Sequence, residues 1–339
     1  MLGRLKEKGY LVLDGAMGSN LFQLGLISGD SPESWNLEHP DRVKKVHQAF
    51  VQSGSDVILT NTFGGNRHRL KLHQLENQVI ELNRAAVKLA RECAGDSVMV
   101  AGSIGPTGEI IEPLGSLSVK DAEVAFMEQA SGLVEGGADL LWIETMSDLN
   151  ELQAVCNAAV STGLPFAATM SFDTAGSTMM GVSPTQFVQF MQNFPASAYG
   201  ANCGVGPDQL LQTIGEMKQA GGKHLIAKGN CGIPEFIDGE ITYNGTEEIM
   251  AAYACYARKL GATIIGGCCG TKKEHVKAMA NALKENTMEC PLELDQIIKS
   301  MGEMTEGNIA MVQKYLSSED APVVDTVSPR KKRRRRPCF

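Results

Sequence analysis

Asp139–Met146 reads DLLWIETM and Pro165–Phe172 reads PFAATMSF, with LNELQAVCNAAVST at Leu149–Thr162 between them. The outer pieces are short apolar runs, suited to strands buried on both faces. The middle piece reads as an amphipathic helix. Two strands joined by a helical crossover lie parallel, because a tight turn joins only antiparallel ones. The unit repeats outward in both directions. Before it stand Tyr10–Met17 (YLVLDGAM), Asp56–Phe63 (DVILTNTF) and Val98–Pro106 (VMVAGSIGP); after it stand Ala198–Cys203 (AYGANC), His224–Cys231 (HLIAKGNC) and Thr263–Cys269 (TIIGGCC). Helical stretches separate them. In Pro40–Gly54 the apolar face is Val43, Val46, Phe50 and Val51, joined by His47. Ser183-Pro184 and Gly206-Pro207-Asp208 mark helix starts, and Gly136-Gly137, Gly221-Gly222 and Gly261-Ala262 mark helix ends. Eight βα units in strict alternation predict a (β/α)8 barrel. An open doubly wound sheet is the competitor. It often carries a G-x-G-x-x-G turn after its first strand, and Leu13-Asp14-Gly15-Ala16-Met17-Gly18 does not fit one.

The 339 residues hold one such barrel, expected over 1–288, with a helical extension at 289–316 and a basic tail at 317–339. At 43% hydrophobic, the chain has ample material for a core, and no apolar run is long enough to span a bilayer. No signal-peptide core precedes the first strand, so a cytoplasmic location is expected, with the nine cysteines reduced. Net charge is −8, and removing the seven consecutive cations Arg330–Arg336 leaves −15. A body that acidic argues against nucleic-acid binding. The tail itself admits two readings, a solvated disordered end or a patch for RNA or anionic membrane.

Barrel chemistry gathers at the C-terminal ends of the strands. There the first strand ends in Asp14-Gly15, the second in Thr60-Asn61-Thr62 and the fourth in Glu144-Thr145. The sixth ends in Asn202-Cys203, the seventh in Asn230-Cys231 and the eighth in Gly266-Gly267-Cys268-Cys269. A single cysteine is most often a small core residue. An adjacent pair after two glycines, with a third at a matching strand end, instead suits Zn2+. Three thiolates would hold it and leave its fourth position open. Such a centre strips the proton from a bound thiol while staying anionic, so the bound sulfur remains nucleophilic. Cys93, Cys156 and Cys255 fall inside helices and read as packing, and Cys231 as a passive neighbour of the cluster.

At these residues the chain resembles the zinc-dependent homocysteine S-methyltransferase family. The matching pieces are Leu13–Gly18, Leu59–Gly64, Gly102–Gly108, Ile143–Thr145, Gly200–Cys203 and Gly266–Thr271, spread from Gly9 to Leu283. The resemblance implies that Cys203, Cys268 and Cys269 ligate zinc. It also implies that Asp14, Gly15, Thr60 and Glu144 hold the amino-acid end of homocysteine. A carboxylate would meet the ammonium there, while Gly15 and Thr60 donate to the carboxylate. Ser34–Pro40, Gly64–His73, Ser171–Gly176 and Lys228–Glu235 are similar to bacterial betaine–homocysteine methyltransferases. That branch implies glycine betaine, or a related onium compound such as dimethylsulfoniopropionate, as the small cationic methyl donor. The tyrosines lining the donor pocket of the animal branch have no counterpart, since Gly64 and Thr145 stand at two of those places. Trp35, Phe63, Phe236 and Tyr243 are the aromatic candidates, each equally readable as packing. A methylcorrinoid protein or S-methylmethionine is the alternative donor. Pro291–Tyr315 reads as one or two helices and suggests an oligomerisation arm, so a homo-oligomer is expected.

Overall fold

The computed structural model describes residues 1–204, 206–237, 240–284, 290, 293 and 306–317. Eight parallel strands form the expected barrel: β1 (Leu11–Val12), β2 (Val57–Leu59), β3 (Met99–Ile104), β4 (Leu140–Met146), β5 (Phe166–Met170), β6 (Ala198–Cys203), β7 (Leu225–Gly229) and β10 (Ala262–Gly267). Their order is β1-β10-β7-β6-β5-β4-β3-β2, and a parallel bridge from Leu13 to Val57 brings the two ends of the sheet together. That last seam is short and is reinforced by side chains. Asp56 N donates to Val12 O at 2.7 Å, and Val12 N donates to the Asp56 carboxylate at 2.8 Å. At the upper end Leu59 N donates to Asp14 Oδ2 at 2.7 Å, so a carboxylate replaces a ladder carbonyl.

Strand alternation sorts the side chains into an inner fill and an outer layer. The fill contains Leu11, Leu13, Val57, Leu59, Met99, Ala101, Leu140, Trp142, Ala167, Ala198, Ile226 and Ile264, with Leu5 of the N-terminal helix Leu2–Lys8 below it. Each fully buried Leu or Ile contributes on the order of 1.5–3 kcal/mol. The outer layer joins the strands to helices such as Pro40–Gln52, Val79–Ala94, Val119–Gly136 and Leu149–Thr162. Helix ends follow the residues that signal them. Ser183 and Gln186 form a capping box ahead of Pro184–Met191, and Gly137 closes Val119–Gly136 in the left-handed conformation.

Further elements lie outside the eightfold pattern, among them short helices such as Gly18–Gln23 and Arg67–Lys71. The N-terminal helix precedes β1, where the sequence reads directly into a strand. A hairpin of β8 (Pro234–Ile237) and β9 (Glu240–Tyr243) is inserted after β7. The helix Glu306–Ser317 packs back on Pro207–Gln219, where a Cβ on Gly215 would lie 2.2 Å from Tyr315 Cδ2. Val312 and Tyr315 are buried in that contact, so part of the extension is used within the chain. Apart from Cys290 and Glu293, the remainder of 289–316 and the basic run Arg330–Arg336 lie outside the described residues. Among the described residues no helix is long and apolar enough to cross a membrane.

Candidate functional site

The strand ends bring Cys203, Cys268 and Cys269 together, with the three Sγ atoms all within 4.8 Å of one another. Cys203 Sγ and Cys269 Sγ are 3.9 Å apart. A tetrahedral zinc with Zn–S bonds of about 2.3 Å sets its sulfurs roughly 3.8 Å apart, which the Cys203–Cys269 spacing matches. The three thiols share protons. Cys268 receives hydrogen bonds from Cys203 and Cys269, and these, with Lys228 and Asn202, hold its pKa well below the usual thiol range. Donation to Cys268 pushes Cys203 far up. Cys269 accepts from Cys203, but its donation to Cys268, the charge there and burial together push it up to about 12.

The backbone that aims these sulfurs is strained and clamped. Cys203 has φ 60° and Thr145 has φ 62°, a left-handed conformation that costs a non-glycine residue on the order of 1–3 kcal/mol. Asn202 holds Thr145 there. Its Oδ1 accepts from Thr145 N at 2.8 Å and Thr169 Oγ1 at 2.6 Å, while its Nδ2 donates to Thr145 Oγ1 at 2.7 Å and faces Cys268 Sγ at 3.8 Å. Asn230 ties the two ligand loops together, donating to Gly204 O at 2.7 Å and accepting from Cys269 N at 3.0 Å. Tyr253 reaches from its helix to accept from Gly229 N at 2.9 Å, fixing the end of β7.

Directly above the apolar fill lies a polar layer. Ser103 Oγ donates to Glu144 Oε1 at 2.5 Å, and Lys228 Nζ approaches Glu144 Oε2 to 3.9 Å from the opposite wall. Asp14 uses Oδ2 for Leu59 N, and its buried Oδ1 has no partner among the described residues. Burial pushes the Asp14 carboxyl up to about 7 against the pull of Lys228. Burial likewise raises Glu144, again opposed by Lys228. For Lys228 burial favours the neutral form, but the charges of Cys268, Glu144, Asp14 and Cys269 outweigh it and hold the ammonium.

Other residues singled out in the sequence divide by placement. Gly15 packs where a Cβ would lie 2.8 Å from both the Phe50 ring and Thr271 O. Thr60 is buried with its donors spent inside the wall. Its N–H goes to Ala101 O at 3.0 Å, and its hydroxyl pairs with Thr62 at 2.6 Å while accepting from Ser103 N. Trp35 is packing, buried under Arg42 at 4.8 Å and against His39. Phe63 is partly exposed at the barrel mouth beside Gly105. Tyr243, on β9, stands against Gly270 and hydrogen-bonds with Cys269. The Phe236 side chain lies outside the described residues. The Cys231 sulfur turns from the cluster toward Gly245 O and His275 Nδ1, each at 3.4 Å. Lys228, Asn202, Asn230 and Tyr253 carry no site role in the sequence reading. The available signal for Lys228 was a lysine inside an otherwise apolar strand, HLIAKGNC.

A family profile described as homocysteine S-methyltransferase matches residues 11–283. Methionine synthase of Mycobacterium leprae is 26% identical over 292 residues, covering 80% of this chain and 24% of that protein. Methionine synthase of Mycobacterium tuberculosis is 27% identical over 292 residues, with the same two coverages of 80% and 24%. The chain thus spans about a quarter of the length of these curated relatives. Among solved structures, the metallated form of the homocysteine methyltransferase MmuM from Escherichia coli superposes with a TM-score of 0.68 at 23% identity. It covers 83% of this chain and 99% of that one, a likeness of fold.

Proposed function

Because this chain belongs to the homocysteine S-methyltransferase family, we propose that it transfers a methyl group from an onium donor, glycine betaine or a relative such as dimethylsulfoniopropionate, to homocysteine. The observation that carries the reading is the meeting of three sulfurs from two strand ends above a layer of buried charges. Cys203, Cys268 and Cys269 would hold a zinc ion, which when bound supplies the charge that keeps an acceptor thiol deprotonated at neutral pH. Asn202 and Asn230 keep the ligand loops in place. Asp14 and Glu144 would offer their carboxyl groups to the acceptor's ammonium, whose charge would favour their ionised forms. Gly15 and Thr60 shape the wall beside them, Gly15 by admitting Phe50 and Thr60 through its ties to Thr62 and Ser103.

In the reaction the acceptor sulfur attacks a methyl carbon of the donor. A C–S bond forms, the donor's bond to its onium atom breaks, and the leaving group departs with the electron pair. Glycine betaine would yield methionine and dimethylglycine. Positioning and exclusion of water supply the acceleration, since a cationic donor and an anionic acceptor lose charge as they react. Tyr243 is the aromatic candidate that stands at the cluster, with a face suited to a cation.

Methionine formation with glycine betaine, dimethylsulfoniopropionate, S-methylmethionine and a methylcorrinoid protein, each with and without a zinc chelator, tests the proposal. Turnover with one of the first two donors, abolished by chelation and by Cys268→Ala, is expected. Turnover retained by metal-free Cys268→Ala protein would overturn the centre. Activity confined to either of the last two donors would overturn the donor.

A further inference from the structure

Cys255 lies in the helix Glu247–Lys259, and Cys290 packs against the outer core beyond the last barrel helix, Lys273–Lys284. The sequence reads Cys255 as packing, yet its thiol is hydrogen-bonded to that of Cys290. Both are only partly buried. Cations flank the pair. Arg258 and Lys259 follow Cys255 by about one turn on the same side of the helix, and the Lys259 ammonium donates to Cys290. Glu293 is the opposing charge. Donation by Cys255, opposed by burial and helped by Lys259, lowers the Cys290 pKa to about 7. The same donation, together with burial, pushes Cys255 up. A thiolate with a protonated thiol beside it, in cationic and partly exposed surroundings, is the arrangement of a reactive cysteine pair. The place is remote from the clustered sulfurs. Arg258 lies over the Tyr10 ring at 4.4 Å, and Tyr10 leads into β1 at the N-terminal ends of the strands, whereas Cys268 and Cys269 follow the C-terminal end of β10.

We infer that Cys255 and Cys290 form a thiol–disulfide exchange site for small-molecule disulfides, with Cys290 attacking and Cys255 resolving. The Cys290 thiolate attacks one sulfur of the small disulfide. A new S–S bond forms, the old one breaks, and the first half leaves with the electron pair and takes the proton of Cys255. Cys255, now a thiolate, attacks the Cys290 sulfur and expels the second half, which takes a proton from water. Two protein thiols are thereby oxidised to a disulfide, and one small disulfide is reduced to two thiols. Cys290 lies outside helix and strand, so no ladder opposes its closing to an S–S bond of about 2.05 Å. The crosslink would enclose β10, Cys268, Cys269 and the helix Lys273–Lys284 in one covalent loop, the segment that supplies two of the three clustered sulfurs.

The test is peptide mapping by mass spectrometry of the zinc-supplemented full chain, equilibrated in buffers of reduced and oxidised glutathione. A reversible disulfide joining the Cys255 and Cys290 peptides is expected. Before oxidation, iodoacetamide at neutral pH should label Cys290 at least about tenfold faster than Cys255, following the thiolate fraction. Cys255→Ser should trap glutathione on Cys290, and Cys290→Ser should leave Cys255 unmodified. Oxidation that leaves both thiols free, or joins either to a different cysteine, would overturn the inference. So would glutathione captured by Cys255 in Cys290→Ser as fast as the crosslink forms in wild type. Should a variant not fold, the wild-type protein decides alone, since equal labelling of the two thiols or the lack of a crosslink between them refutes the exchange site.

Discussion

Replacing Asn202 with Ala removes a single side chain that four groups use. Thr145 N loses its acceptor, Thr169 Oγ1 keeps only the longer bond to Ile143 O at 3.4 Å, Thr145 Oγ1 loses a donor, and Cys268 Sγ loses its amide neighbour. Each buried donor left without an acceptor costs about 1–3 kcal/mol. Release of Thr145 from φ 62° returns part of that, of order 1 kcal/mol. The metal-free variant should therefore lose about 2–4 kcal/mol in urea unfolding, read as a lower midpoint at unchanged slope. Thr145 follows Glu144 directly and Asn202 precedes Cys203, so the damage should also reach the metal centre. Competition against a chromophoric chelator should show zinc held about 10- to 100-fold more weakly, the usual range for an outer residue that orients ligands. Loss of stability with zinc affinity unchanged would refute the positioning role. Stability within about 0.5 kcal/mol of wild type would refute the network itself.

Among the described residues, buried His47 has no partner for either ring nitrogen, and burial lowers its pKa to about 4. The unfolded chain takes up that proton first, so this contribution is whole above the unfolded pKa near 6.5 and is lost as pH falls toward 4. Relative to His47→Leu, wild type should lose on the order of 3 kcal/mol as pH falls across that window; parallel curves for the two proteins would refute this. Gly215→Ala places a methyl group into the Tyr315 ring and should loosen Glu306–Ser317, read as faster limited proteolysis at the C-terminal end with barrel stability lowered by about 1–3 kcal/mol. An unchanged digestion pattern would show that the helix is not held there. Asp14→Asn removes a carboxyl whose pKa burial pushes up to about 7. The native state holds that proton longer than the unfolded chain, so this contribution is lost as pH rises from about 4 to 7, and over that rise metal-free wild type should lose stability relative to metal-free Asp14→Asn, measured by thermal unfolding across that range.

The barrel was legible because its signal is redundant. The spacing of Val43, Val46 and Phe50, the capping box at Ser183 and the stop at Gly137 each mark a boundary independently, and the helices fall within a residue or two of their predicted ends. The inserted hairpin was hidden by its mixed composition, and the N-terminal helix by its position before the first repeat. At the site, cysteines advertise themselves, and the three were singled out from strand ends alone. The roles of Asn202 and Asn230 were not readable, because an asparagine at a strand end predicts a turn as well as a clamp and only distances separate the two. Thr60 illustrates the opposite case. A hydroxyl that looks available in the sequence is consumed by Thr62 and Ser103, a fact of three-dimensional neighbourhood rather than of residue type.

Asp14 performs two duties with one carboxylate. One oxygen laces the first stave of the cylinder to the second through Leu59, and the other is buried with no partner among the described residues. Tightness of the hoop and charge at its mouth therefore cannot be tuned separately at this residue. A substitution made to probe ligand recognition there also slackens the joint where the hoop closes, and any change in affinity has to be weighed against the change in rigidity that accompanies it.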